Sequence, residues 1–354
     1  MTVLAARLHA PHDLRVEPVP IDEPGPGQVS VRLEAGGICG SDLHYYHEGG
    51  FGVVRLREPM ILGHEVAGRI EAFGPDTRSD RPGLAAGDLV ALNPSRACGR
   101  CHFCRRGEQR HCTDMRFFGS AMRMPHSQGA FRQRIVADLT QCEPMAGENG
   151  TVVSAGEAAC AEPLAVCLHA LRQAGDIAGR RVLVTGAGPI GVLTAGAARH
   201  AGALEIVVTD LIEAPLAAAR AFGATRTIRA GEQAEALEAY AADKGCFDVA
   251  FECSGAAAAL AEAIRLVRPG GTVVQVGLGG DVKVPLSLLV SKETRLVGTF
   301  RFQEEFALAA RLIRERRIDV RPLITRTFAL DEAVDAFAEA GNRERAMKVQ
   351  LALA

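Results

Sequence analysis

Gly186-Ala187-Gly188-Pro189-Ile190-Gly191 stands between a strand-like run, RRVLVT, and a stretch that opens a helix. No other feature restricts the fold as much. Gly186 permits a tight turn, Gly188 lets the backbone approach a pyrophosphate, and Gly191 allows close helix–strand packing, with Pro189 and Ile190 entering the helix between them. The free N–H groups and positive dipole end of that helix suit phosphate. The next strand-like run, EIVVT, ends at Asp210, about twenty residues on, where an acid binds both ribose hydroxyls. An aspartate there repels a 2′-phosphate, and Leu211-Ile212-Glu213 bring no arginine to offset it. The expected cofactor is therefore NAD, ahead of NADP.

The surrounding pattern agrees. From about residue 151, the strand-like runs RVLVT, EIVVTD, FDVAFE and TVVQVG alternate with Ala-rich helical stretches. Such alternation predicts a doubly wound parallel sheet with helices on both faces, an α/β class. Residues 1–150 have another texture: short alternating runs such as VSVRLEA and DLVALNP, broken by Gly and Pro. That reads as an irregular, mostly β domain. The expected division is 1–150 with 291–354 for the first domain and 151–290 for the dinucleotide domain.

Cys98-x2-Cys101-x2-Cys104-x7-Cys112 is the most specific motif of the first domain. Four thiolates so close can wrap one tetrahedral zinc. Disulfides and an iron–sulfur cluster are the competing readings of such spacing. The N-terminal run has no long apolar stretch, which points to the cytoplasm, where thiols stay reduced. Four protein ligands leave no open position, so a zinc here is expected to be structural. The net charge of -2 and the lack of a basic–aromatic strip argue against a nucleic-acid partner. No apolar run reaches the length of a membrane span.

Cys39, in GGICGSDLHYY, has no partner cysteine at motif spacing. Downstream stand His64-Glu65 in LGHEV, and Glu162 in CAEPLAV, where Pro163 suits the first turn of a helix. One thiolate, one imidazole and one or two carboxylates can hold a zinc while leaving a position for water or substrate. Taken singly, each has a plainer reading: a small buried thiol, a core histidine, a first-turn carboxylate.

Together, GICGSD, GHE, the four cysteines, AEP and GAGPIG resemble the zinc-dependent medium-chain dehydrogenases, the family of alcohol and sorbitol dehydrogenases, over the whole chain. SDLHYY is similar to the sorbitol branch; NPSRACGRC, CTDMRFFGSAM and GTFRF are closer still to the L-idonate 5-dehydrogenase group. The resemblance implies a GroES-like first domain and two zincs per chain, one structural and one catalytic. It implies Cys39, His64 and Glu65 as catalytic ligands, with Glu162 binding the metal or its water. Glu162 stands where the alcohol dehydrogenases have a second cysteine, so the metal should be held less tightly. The implied reaction passes hydride from a secondary hydroxyl of a sugar acid, L-idonate giving 5-keto-D-gluconate, to NAD. Polyol oxidation is the alternative, and a non-catalytic NAD-binding protein is the alternative of another class. Ser41 can accept the hydroxyl proton, and His44, three residues on, resembles the end of the family's relay. Tyr45 and Phe118 are expected at the substrate pocket beside Phe117. Arg301, in GTFRF, is expected to grip the substrate carboxylate, with Arg116 and Arg123 in reserve. The family also implies a homodimer or homotetramer.

Overall fold

The structure is a computed structural model describing residues 2–77, 83–147 and 150–354. The chain divides into two compact units: residues 1–162, 306–342 and 348–354 form one, and residues 163–305 and 343–347 the other.

The second unit is built on six parallel strands. Their order across the sheet is Arg226–Arg229, Glu205–Asp210, Arg181–Thr185, Phe247–Glu252, Val267–Gln275 and Arg295–Gly298. The order reverses between Arg181–Thr185 and Phe247–Glu252, and at such a switch point a crevice opens beyond the strand ends. The glycine motif begins there, directly after Thr185. Residues 206–210 are all buried, as expected for a strand covered on both faces. Helices Pro189–His200, Glu213–Ala221 and Ala257–Leu266 pack on the sheet. Beneath the last of these, Leu183, Val207, Phe247, Ala250, Ile264 and Val273 share one core.

The first unit carries a seven-stranded sheet centred on Gln28–Gly37, which pairs antiparallel with Glu65–Phe73, Arg134–Asp138 and Lys348–Ala352. Thr2–Ala10, Asp13–Pro20 and Met60–Ile61 form a smaller sheet. Val31, Leu33, Val66, Val90, Leu92, Phe131, Ile135 and Leu351 are buried in this unit.

Both boundaries fall later than the texture of the sequence places them, at 162/163 rather than 150/151 and at 305/306 rather than 290/291. The second shift has a clear cause. Arg295–Gly298 joins the parallel sheet as its edge strand, aligned on Thr272–Gln275, and carries the unit past residue 290. Among the described residues, no helix is long and apolar enough to cross a membrane.

Candidate metal centres and cofactor site

Cys39 lies where strand Gln28–Gly37 gives way to helix Gly40–Glu48, as the residue that caps the helix. Its N–H donates to Asp42 Oδ2 at 3.0 Å. Asp42 is fully buried. Its other oxygen accepts the Gly63 N–H at 3.1 Å and lies 3.7 Å from His64 Nδ1. One carboxylate thus joins the first helical turn to the loop that carries His64. Gly63 is required in that loop: its φ is +93°, and a Cβ there would lie 2.3 Å from the Phe131 ring.

Glu65 opens strand Glu65–Phe73 opposite Gly37, where a Cβ would come within 2.2 Å of Glu65 Oε2. The glycine therefore makes room for the carboxylate. Lys348, the first residue of the last strand, reaches Glu65 Oε1 at 2.8 Å and Oε2 at 2.7 Å and also donates to the Ile38 carbonyl. Both side chains are buried. Despite its closeness to Lys348, Glu65 Oε2 accepts no hydrogen bond of good geometry.

Donor atoms of Cys39, His64 and Glu65 all lie within 4.8 Å of one another. Ligands of one tetrahedral zinc stand about 3.3–3.8 Å apart, so a small inward movement suffices. A thiol, an imidazole and a buried carboxylate fit zinc, and a set of three protein ligands is the open kind. Glu162 is buried, at the start of helix Ala161–Ala174, but its carboxylate lies outside that trio.

The electrostatics agree with a cation site. Burial pushes the Glu162 carboxyl up to about 7, against the pull of His64. Burial likewise raises Asp42. Burial opposes protonation of His64, yet Asp42, Cys39 and Glu162 outweigh it and hold the imidazole well above its ordinary value. Burial also disfavours the Lys348 ammonium, but Glu65 and Cys39 keep it charged, above the usual lysine range. Groups able to carry negative charge thus outnumber the cations facing them, and a divalent ion would balance the excess.

Ser41 and His44 lie on helix Gly40–Glu48. The half-exposed His44 ring stands 3.6 Å from Glu48. Tyr45 is buried against Phe51, and its hydroxyl accepts the Ala121 N–H at 3.0 Å. Phe117 packs near the His64 ring, with centroids 5.4 Å apart. Phe117 and Phe118 line a cavity of about 290 Å³ with Arg96, Arg116, Arg123 and His126. Arg123 is ion-paired with Asp114. Arg301 belongs to the second unit, at a φ of +56°, with its guanidinium 4.8 Å from the Phe300 ring. Glu304 and Glu305 accept hydrogen bonds from Arg172.

The four clustered thiols also meet, with Cys98, Cys101, Cys104 and Cys112 sulfurs all within 4.8 Å of one another. None is in a disulfide. Cys98 N–H and Asp114 N–H donate to Cys112 Sγ, and Cys101 N–H to Cys98 Sγ. The backbone N–H of Cys104, then that of Thr113, pull the Cys101 thiol down to about 5, while burial pushes Cys104 up to about 12. Such a set ionises completely only around a cation, and four closed ligands suit structural zinc.

In the second unit, Gly186 has a φ of +90° and Gly188 caps helix Pro189–His200, with open space where its Cβ would be. A Cβ on Gly191 would lie 1.8 Å from the Gly186 carbonyl. The turn thus has the close packing and the open cradle that a dinucleotide pyrophosphate needs. Asp210 ends its strand buried and accepts the Ala187 N–H at 2.7 Å. The residues after Asp210 bring no arginine, but the fold does: Arg343 reaches Asp210 Oδ2 at 2.7 Å.

Asp42, Lys348 and Arg343 were not legible as site residues. Only Lys348 leaves a local trace, a charge heading the apolar run KVQLAL.

Comparison with known proteins gives concordant results. The family model described as "Alcohol dehydrogenase GroES-like domain" matches residues 25–147, and that described as "Zinc-binding dehydrogenase" matches 189–315. The chain is 40% identical to L-idonate 5-dehydrogenase (NAD(P)(+)) of Escherichia coli over 91% of this chain and 90% of that protein. It is 36% identical to sorbitol dehydrogenase of Arabidopsis thaliana, covering 99% of this chain and 95% of the other. The crystal structure of Escherichia coli L-idonate 5-dehydrogenase superposes with a TM-score of 0.91 at 37% identity, covering 99% and 98% of the two chains.

Proposed function

We propose, for a chain that belongs to the zinc-binding medium-chain dehydrogenase family, oxidation of a sugar acid at a secondary hydroxyl, with L-idonate giving 5-keto-D-gluconate and NAD preferred as acceptor. Membership of the branch that holds the L-idonate and sorbitol dehydrogenases, acting on CH–OH with NAD(P), is plain from the whole-length similarity. The observation that carries the catalytic reading is the Cys39–His64–Glu65 trio, one thiol, one imidazole and one buried carboxylate with donor atoms within 4.8 Å of one another.

When bound, zinc supplies Lewis-acid activation of a substrate hydroxyl, and the nicotinamide supplies the hydride acceptor. The chain's residues do the remaining work. Asp42, 3.7 Å from His64 Nδ1, holds the ring by charge and leaves its other nitrogen to serve as the donor. Lys348 holds the Glu65 side chain in place through both of its oxygens. Ser41 takes the hydroxyl proton and passes it toward His44, whose half-exposed ring can release it to solvent. Glu162, pushed up to about 7 by burial, can share a proton with water in the site. An aldonate also presents a carboxylate, for which the planar fork of a guanidinium is the best partner. Arg301 is assigned that role, and Arg116 beside Phe117 is the reserve.

Sorbitol or another polyol is the second reading, favoured by the 36% identity to a sorbitol dehydrogenase. A substrate panel tests both, with NADH absorbance followed for L-idonate, D-gluconate, sorbitol, xylitol and L-threonine. L-idonate should lead in kcat/KM, and Arg301→Lys should lower its value more than tenfold, about 1.4 kcal/mol. Sorbitol outpacing L-idonate would replace the sugar-acid reading with the polyol one. No turnover of any member would leave a non-catalytic NAD-binding protein. The described cysteines are all free thiols, which supports a reducing, cytoplasmic setting. A homodimer or homotetramer is part of the same reading, supported by exposed Leu286 and Val290 on helix Leu286–Lys292 and Leu296 on the edge strand of the parallel sheet.

A further inference from the structure

Asp210 is the residue by which this fold would exclude a 2′-phosphate, yet its carboxylate is largely occupied. Oδ2 accepts the Ala187 N–H at 2.7 Å and Arg343 at 2.7 Å, and Oδ1 accepts the Ile212 N–H at 3.1 Å. A carboxylate offers about four acceptor sites, so these three bonds leave little for two ribose hydroxyls. The charge is masked as well. The Asp210 side chain is only 2% exposed, whereas that of Arg343 is 51% exposed, so solvent or a ligand meets the guanidinium first. Arg229, the register neighbour of Asp210 on the adjacent strand, is turned elsewhere, with bonds to the Leu211 carbonyl and Glu232.

A guanidinium carries five N–H donors in a fixed fork, and Arg343 reaches Asp210 through a single nitrogen, NH2. That fork matches a phosphate dianion as well as a carboxylate. We propose that Arg343 is a specificity-determining residue of the dinucleotide site: it masks Asp210 and offers a partner to a 2′-phosphate, and so sets how far NADP competes with the preferred NAD. The assignment rests on the dinucleotide reading of the glycine turn and is independent of the substrate's identity.

Equilibrium binding tests it without turnover. NADH and NADPH are titrated into zinc-loaded wild type, Arg343→Ala and Arg343→Lys, followed by nucleotide fluorescence or calorimetry, with melting curves to check folding. The ratio Kd(NADPH)/Kd(NADH) should rise at least fivefold in Arg343→Ala, mainly through weaker NADPH binding, and Arg343→Lys should fall between. Adenosine 2′,5′-bisphosphate should lose affinity with Arg343→Ala more than 5′-AMP does. Binding of both dinucleotides with a ratio changed by less than fivefold overturns the role of Arg343 alone. Binding of neither to the wild type overturns the dinucleotide site, and this assignment with it.

Discussion

Asp42→Asn is a near-isosteric change that tests how the metal site is held. The carboxylate accepts two backbone N–H groups, from Cys39 at 3.0 Å and Gly63 at 3.1 Å, and faces His64 Nδ1 at 3.7 Å. Asparagine keeps one acceptor and turns the other position into an NH2 group. One of the two N–H donors then meets a donor in a fully buried place, a cost of about 1–3 kcal/mol. The loss of a buried negative charge, disfavoured by burial here, offsets part of that, so the zinc-free fold should lose about 1–2 kcal/mol. The larger effect is on the metal. A neutral amide no longer holds the imidazole by charge, and loss of such an outer partner typically lowers metal affinity about 10–100-fold, or about 1.4–2.7 kcal/mol. The assay is zinc transfer to a chromophoric chelator, in which the wild type should release its two zincs in separate phases. In Asp42→Asn the weaker phase should move by at least tenfold. The tighter phase, from the cluster of Cys98, Cys101, Cys104 and Cys112, should stay in place as an internal control. A folded variant with both phases within twofold of wild type would refute the orienting role of Asp42.

Three further outcomes are expected. In the zinc-free protein, Glu162 has a folded pKa of about 7, raised from 4.5 by burial, so the folded state binds the extra proton between those values. Stability should then fall as pH rises through that window, by ~3 kcal/mol at most; raised His64 adds in the same direction, and Glu162→Gln should flatten the denaturation-midpoint profile. A chelator should abolish activity before it lowers the melting temperature, with activity restored by zinc, because the trio is open and the four-thiol lobe closed; simultaneous loss at one rate would argue against two separate sites. Ser41→Ala should keep zinc and dinucleotide affinity while lowering kcat, and His44→Ala should lower it less, since water can replace a half-exposed ring; full activity of Ser41→Ala at neutral pH would remove Ser41 from the proton path.

Features encoded within one short stretch are readable from the chain alone. The glycine turn is such a case: each glycine answers a local steric demand, and the strand before it and the helix after it confirm the context. The four clustered cysteines are another, because a loop of fifteen residues, Cys98 to Cys112, can close on one ion without help from elsewhere. The alternation of strand and helix likewise determines the parallel sheet, since buried strands and amphipathic helices differ in period. Cys39, His64 and Glu65 are legible only as a family pattern. Nothing in their spacing shows that strand Gln28–Gly37 lies beside Glu65–Phe73, or that Gly37 faces Glu65 and leaves space for its carboxylate.

What the tertiary structure alone decided is the partner of each buried charge. Lys348 meets Glu65 across 283 positions, and Arg343 meets Asp210 across 133. Asp42 and Gly63, 21 apart, meet because a helix start and a loop converge. A buried ion is tolerated only where another charge or a set of N–H groups compensates it. That compensation depends on which strand ends and loops the fold brings together, so it has no signature in local composition. The sequence by itself determined what ligands and glycines are available; the fold decided which counter-charge each acid faces, and with it the orientation of the metal site and the masking of the ribose acid.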